Sequence, residues 1–220
     1  MNNAKAEMSE GNDFKTLWGS FKEKPYTISL NQAKLLLKGL SQLNELNEPI
    51  IDNILWSIKV PDNFIDTVMA TRHHSRPPNR RLVLSKLEDT SIFAAVVWEK
   101  GCCSNIHNHS HFGLTRTLIG SVTSIGFRKT KEGFLTCVGK VPFERNRVYH
   151  VPAGQSFIHS IANFKDKPAL ELHFYGPLKD EASYRFEPDD YHFNVRQVKD
   201  GDVIPCKVVE DSKQFIDRFE

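Results

Sequence analysis

Apolar side chains recur at helical spacing in the first third of the chain. Ser29 is predicted to cap a helix in which apolar residues return every three or four positions. Asn47 and Pro49 form a cap and first-turn pair for a second helix, which is rich in isoleucine. A third, short helix is predicted to begin just after Pro61. We therefore expect residues 1–78 to form a helical segment that packs on the remainder of the chain.

Beyond Arg72 the pattern changes to short runs of β-branched and aromatic residues. The segment from His73 to Pro78 contains two prolines and is predicted to be a connector. Strand-like runs come next, separated by turn residues such as Gly101 and Gly154. We place these strands near residues 81–86, 91–98, 104–109, 114–128, 133–138, 147–152, 156–161, 168–175 and 203–209. Many short strands favour a mainly β sandwich or barrel, which we assign to residues 79–220.

Composition limits the class of protein. The 220 residues include 29 basic and 27 acidic side chains, and 40% are hydrophobic. That is enough apolar surface for a core, and the near-neutral charge argues against a nucleic-acid partner. Residues 1–13 lack the apolar segment of a signal peptide, and no run approaches the about 18 apolar residues of a membrane span. We expect a cytoplasmic protein with four reduced cysteines and no membrane partner, and the oligomeric state stays open.

Histidines are concentrated in the middle of the chain. His107 and His109 are two residues apart, which places both imidazoles on one face of a strand. His159, in another predicted strand, would complete a triangle of metal ligands and leave other coordination positions open. The alternative is that the pair belongs to the surface or the core. Of the other histidines, we expect His111 and His150 to be structural or to support the ligands, and His73, His74 and His192 to be peripheral.

The residues around this pair resemble the first motif of the cupin superfamily, whose members are double-stranded β-helix (jelly-roll) barrels. The positions of that motif are held by Gly101, His107, His109, Gly113 and Gly120. The second motif is matched more loosely, by Pro152-Ala153-Gly154, His159 and Asn163. Cupins usually carry a glutamate ligand where this chain has Gly113. The resemblance therefore implies a site with three histidine ligands and no carboxylate.

A cupin with this ligand set is similar to the thiol dioxygenases, which include cysteine dioxygenase and 3-mercaptopropionate dioxygenase. The segment 171–175 resembles the Ser-x-His-x-Tyr segment of that family, with Glu171 in place of serine. Alternation along a strand puts Glu171, His173 and Tyr175 on one face, which would line the barrel interior. The resemblance implies an Fe(II) enzyme that adds O2 to the sulfur of a small carboxylated thiol and forms a sulfinate.

The resemblance also implies roles for individual residues. Tyr175 would hydrogen-bond oxygen or thiolate at the metal, and His173 would orient Tyr175. Arg81 corresponds to the carboxylate-binding arginine of cysteine dioxygenases, and Arg185 to the arginine of mercaptopropionate-type enzymes. The sequence does not decide between them. Glu171 would either hold His173 or alter substrate preference in the pocket. The alternatives are another metal-dependent cupin enzyme and a non-catalytic cupin binding or sensor module.

Overall fold

The computed structural model of the chain describes residues 10–23, 27–70, 79–177, 183–190 and 192–210. The predicted connector, with His73 and His74, lies outside the described residues. The boundary at residue 78 between the helical segment and the barrel also lies outside them, and this division stays a prediction.

Helices occupy the N-terminal part, as the apolar spacing predicted. They are α1 (Glu10–Glu23), α2 (Leu30–Gln42), α3 (Glu48–Ser57) and α4 (Phe64–Ala70). Ser29 caps α2 through a reciprocal pair of hydrogen bonds with Gln32, and Asn47 caps α3 by accepting from the Ile50 N–H. Helix α1 had no predicted counterpart. None of the described helices is both long and apolar enough to span a bilayer.

Two antiparallel sheets face each other. Their strands are β3 (Asn79–Lys86), β4 (Ile92–Trp98), β5 (Ile106–His109), β6 (Gly113–Ile119), β7 (Val122–Lys129), β8 (Leu135–Phe143), β9 (Val148–Val151), β10 (Gly154–Ala162), β11 (Ala169–Tyr175), β12 (Tyr184–Pro188), β13 (Val203–Ile204) and β14 (Cys206–Glu210). A short parallel pair, β1 (Ile28–Ser29) and β2 (Ile58–Lys59), joins the helices.

The strand order is that of a jelly roll. One sheet runs β3-β4-β11-β6-β9 and the other runs β13-β8-β7-β10-β5-β12-β14. Strands β4 to β11 contribute the runs β4-β11-β6-β9 and β8-β7-β10-β5, which is the arrangement of a double-sheet jelly roll. The predicted mainly β jelly-roll barrel with N-terminal helices is therefore confirmed.

The strands of the barrel differ from the prediction in four places, one of which is the run predicted at 203–209, which is two strands, β13 and β14. The run predicted at 114–128 is two strands, because Gly120 turns the chain with φ of +70° and a Cβ there would lie 3.1 Å from Ala169. Strand β8 continues to Phe143, beyond the predicted end at residue 138. Strand β12 was not predicted, because its sequence of Tyr, Arg, Phe, Glu and Pro holds few β-branched residues.

Both outer faces of the barrel are covered by apolar layers. The helices bury the outer face of the five-stranded sheet, and the two share one core that includes Leu36, Leu37, Ile54, Phe93, Ala95, Val97, Leu172 and Phe174. The C-terminal segment covers the outer face of the seven-stranded sheet in a second core that includes Ile106, Ile125, Phe127, Ile158, Phe186, Val195, Val198 and Ile204. The inner faces are left to line a cavity.

A buried arginine fastens α3 to the barrel. Arg116 on β6 donates from Nη1 to the carbonyl oxygens of Leu55, at 2.6 Å, and Ile58, at 2.9 Å. The last carbonyls of a helix lack partners within the helix, and a cation is favoured there. Its Nη2 also lies 3.4 Å from Asn146 Oδ1. Burial lowers the pKa of the Arg116 guanidinium, which reflects the cost of placing this charge in the interior.

Candidate metal centre

Three histidines from neighbouring strands converge inside the barrel. His107 and His109 lie on β5, and His159 on β10 pairs with His107 in the sheet register. One ring nitrogen of each histidine lies within 4.8 Å of the others. The register shifts between Gly154 and His159, an irregularity of the kind that often re-aims side chains next to active sites. The structure thus brings together the three residues that the sequence singled out as ligands.

The spacing of two of these nitrogens fits a shared metal ion. Metal–imidazole bonds of about 2.1 Å at right angles would place two ligand nitrogens about 3.0 Å apart. The Nε2 atoms of His109 and His159 are 3.0 Å apart. On the other side of the rings, Nδ1 of His107 donates to the Asn105 carbonyl at 2.8 Å, and Nδ1 of His159 lies 3.3 Å from Ser124 Oγ. Because Nδ1 of His107 donates, its Nε2 keeps a lone pair for a metal, and the hydroxyl of Ser124 can accept from His159 in the same way.

Burial favours the neutral form of two of these imidazoles. The pKa of His109 lies well below its usual value, mainly because the side chain is buried and secondly because His107 is nearby. The same two causes, in the same order, hold down the pKa of His159. A metal ion binds imidazole only through a deprotonated nitrogen, so neither side chain must lose a proton to bind one at neutral pH.

The five-stranded sheet supplies the opposite wall of the cavity. Glu171, His173 and Tyr175 on β11 line it, as the alternation predicted, whereas Leu172 and Phe174 join the core under the helices. The rings of His173 and Tyr175 stack with their centroids 5.4 Å apart. Strand β11 therefore presents a polar stripe to the three histidines across the barrel.

Glu171 is surrounded by hydrogen-bond donors. Its Oε2 accepts from Trp98 Nε1 at 2.7 Å and lies 3.1 Å from His173 Nε2. Its Oε1 accepts from the Thr117 hydroxyl at 2.9 Å. Trp98 belongs to β4 and Thr117 to β6, the two strands that flank β11. The carboxylate is thus engaged by three side chains of the protein.

The two arginines predicted to bind substrate lie in different places. Arg81 on β3 lines the cavity. Arg81 and Glu171 both pair with Val96 on β4, so this one residue lies between them across the sheet. Arg185 on β12 pairs with His107 in the register, but its Nη2 forms an ion pair with Glu187 at 2.8 Å. Arg185 borders a second groove and is not among the described residues that line the cavity.

His111 lies directly beside the site. Its side chain is 1% exposed and lines the cavity, with ring centroids 5.3 Å from His109 and 5.6 Å from Tyr175. Burial, and then His107, lower the pKa of His111 to about 4. The signal was available, because the spacing of two residues continues from His109 to His111.

The other cavity residues that sequence reasoning missed lie on strands flanking β11. They include Trp98 and Thr115, and Thr117 on the same strand as Thr115 contacts the cavity residue Glu171. Thr115 pairs with His173 in the register, and no described residue hydrogen-bonds its buried hydroxyl. Of the remaining described histidines, His150 is exposed and lies 3.1 Å from a carboxylate oxygen of Glu48, and His192 is exposed as expected.

Comparison with solved structures finds cupin barrels. A sugar phosphate isomerase from a cupin superfamily of Silicibacter pomeroyi is 18% identical with a TM-score of 0.37, over 49% of this chain and 69% of that one. A cupin superfamily protein from Desulfitobacterium hafniense is 16% identical with a TM-score of 0.36, over 49% and 82%. An oxalate oxidase bound to the substrate analogue glycolate is 12% identical with a TM-score of 0.33, over 41% and 44%. No protein-family model and no curated protein matches the sequence. Likenesses at this level identify no activity, so function has to be argued from the side chains.

Proposed function

We propose that the protein is an Fe(II)-dependent thiol dioxygenase that converts a small carboxylated thiol, such as cysteine or 3-mercaptopropionate, to its sulfinate. The observation that carries the proposal is the face of three histidines opposite the stacked His173 and Tyr175 in one buried cavity. In the reaction both atoms of O2 become bonded to the thiol sulfur, which is oxidised as O2 is reduced.

His107, His109 and His159 would hold the iron through neutral nitrogens. Bound there, Fe(II) would supply the redox chemistry, and its undiminished positive charge would favour the thiolate form of the substrate. The described group of candidate ligands contains no carboxylate, so no ligand of the protein would reduce the positive charge of the iron. The donor set, and the spacing of the His109 and His159 nitrogens, thus fit the proposed ion.

The opposite wall would bind and orient the substrate. Tyr175 presents its phenol to the cavity, where it would donate a hydrogen bond to the reacting sulfur or oxygen. His173, stacked on Tyr175, would hold that ring in place. Arg81 is the proposed carboxylate anchor, because it lines the cavity, whereas Arg185 borders a different groove.

The size of the cavity fits a small substrate. Its free volume is about 70 Å³, which is room for a few water molecules. A cavity of this size favours thiols with few non-hydrogen atoms, such as cysteine and 3-mercaptopropionate. The cytoplasmic location remains part of the proposal and rests on the sequence alone.

Oxygen uptake by the iron-loaded protein tests the activity. We expect uptake to depend on cysteine or 3-mercaptopropionate, and mass spectrometry to find two added oxygen atoms in the product. The His159→Ala variant should lose both iron and activity, whereas His192→Ala, at an exposed histidine that does not line the cavity, should keep both. Iron bound without thiol-dependent uptake would contradict the dioxygenase and leave a metal-binding module. Iron and activity retained in His107→Ala would contradict the site.

Matched arginine variants test the anchor. Arg81→Gln should raise the KM for carboxylated thiols by about 10- to 100-fold, because it removes a charge-assisted hydrogen bond. The same variant should change the KM for cysteamine, which has no carboxylate, by less than about threefold. Arg185→Gln is the control at a residue outside the cavity. A larger loss in Arg185→Gln than in Arg81→Gln would reverse the assignment.

A further inference from the structure

Glu171 differs from the other residues of the cavity wall because its side chain is completely buried, with 0% of its surface exposed. A carboxylate placed in a protein interior without partners costs several kcal/mol, and hydrogen-bond donors must compensate for that cost. Glu171 has these donors in the indole N–H of Trp98 and the hydroxyl of Thr117. The two bonds come from strands on either side of β11 and fix both carboxylate oxygens.

The third contact of Glu171 is with His173. The Nε2 atom of His173 lies 3.1 Å from Oε2, the oxygen that also accepts from Trp98. Because Oε2 already serves as the acceptor of the Trp98 indole N–H and can accept a second hydrogen bond, we assign the proton of this bond to Nε2 of the imidazole. The ring therefore has Nδ1 as its remaining polar atom, and in the neutral imidazole that atom is an acceptor.

We propose that Glu171 is a positioning residue, which holds His173 in the tautomer protonated on Nε2 and thereby makes His173 a hydrogen-bond acceptor in the cavity. The effect on catalysis rests on the proposed function, whereas the tautomer of His173 can be tested in a protein that turns over no substrate. Thr115, beside His173 in the register, adds a buried hydroxyl that no described residue engages. His173 and Thr115 together would receive a donor group of the substrate or of Tyr175.

The charge of Glu171 and its hydrogen bond can be separated by substitution. In Glu171→Gln the amide oxygen can still accept from Trp98 and His173, while the amide N–H₂ faces the Thr117 hydroxyl, which can rotate to accept. In Glu171→Leu the acceptor is lost. Thr117→Val removes only the bond to Oε1 and keeps the one to His173. Glu99→Gln, at an exposed carboxylate paired with Arg80, is the control.

Nitrogen NMR of the ¹⁵N-histidine-labelled full chain, recorded without iron, tests the tautomer directly. We expect His173 to be protonated on Nε2 in the wild type and in Glu171→Gln, and to become a mixture of tautomers in Glu171→Leu. A wild-type His173 protonated only on Nδ1 would overturn the proposal. This result is independent of catalysis, so it stands even if the protein oxidises no thiol.

Steady-state kinetics of the iron-loaded variants test the consequence. We expect kcat to fall by about 10- to 100-fold in Glu171→Leu with unchanged iron content and a KM within about twofold, and Glu171→Gln to restore most of the loss. Thr117→Val should lie between Glu171→Gln and the wild type. A folded Glu171→Leu with the wild-type kcat and His173 signals would refute the role. If Glu171→Leu does not fold, the wild-type tautomer and the kcat of Glu171→Gln remain decisive.

Discussion

Replacing Arg116 by methionine tests how the helices are fastened to the barrel. Methionine keeps an apolar stem but removes the donors to the carbonyls of Leu55 and Ile58. A hydrogen bond from a charged group contributes roughly 1.5–3 kcal/mol, and a buried carbonyl left without a donor costs about 1–3 kcal/mol. The desolvation of the guanidinium is saved and offsets part of this loss. We therefore expect the free energy of unfolding to fall by about 3 kcal/mol.

Thermal and urea unfolding measure this loss. For a chain of this length, about 3 kcal/mol corresponds to a decrease in Tm of about 6–12 °C. Arg116→Lys should lose less, because an ammonium can still reach one carbonyl. Arg147→Met is the matched control, because that side chain is 69% exposed and its ion pair with Glu144 spans 3.8 Å. Such a surface pair contributes less than about 1 kcal/mol. Equal Tm values for Arg116→Met and Arg147→Met would refute the role of Arg116 as a fastening of α3.

Two further predictions concern buried polar residues. The pKa of His111 falls from 6.5 to about 4 on folding, so the unfolded chain takes up the proton first as pH decreases. The contribution of His111 to the free energy of unfolding is therefore complete above about pH 6.5 and declines by up to about 3 kcal/mol towards pH 4. In His111→Asn this part of the pH dependence of urea unfolding should become flatter. An unchanged slope would contradict the shift. The side chain of Asn163, just beyond the end of β10, donates to the carbonyls of Trp98, Glu99 and Lys167. Asn163→Ala should therefore lower the free energy of unfolding by about 2–3 kcal/mol in the same assay. An unchanged unfolding midpoint would show that water replaces these hydrogen bonds.

Local spacing predicted those features that depend on residues close in sequence. Ser29 and Asn47 cap helices because a cap acts on the next three residues. His107 and His109 share a face because a strand alternates with a period of two. His159 was proposed because it lies in another predicted strand, and the resemblance supported it, but spacing alone does not say which strands are neighbours. The pairing of β5 with β10 supplies that information.

The surroundings of Glu171 were beyond sequence reasoning. Trp98 and Thr117 are 73 and 54 residues away from Glu171 along the chain, and each reaches it only because two other strands flank β11. Arg116 posed the same problem, because a charged residue in a strand predicts a solvated face, whereas here the face is covered by α3. Long-range strand pairing and helix packing decide both environments, and a single sequence does not encode them in any local pattern.

The three histidines and the polar stripe of Glu171, His173 and Tyr175 lie on opposite sheets. Each set lies on its own strands. A substitution on β11 or β6 can therefore change the shape of the cavity while the pairing of β5 with β10 keeps the three histidines in place. The barrel thus places the residues that shape one wall of the cavity on different strands from the residues that could hold a metal ion. Side chains of one wall can therefore be replaced while those of the other wall stay unchanged.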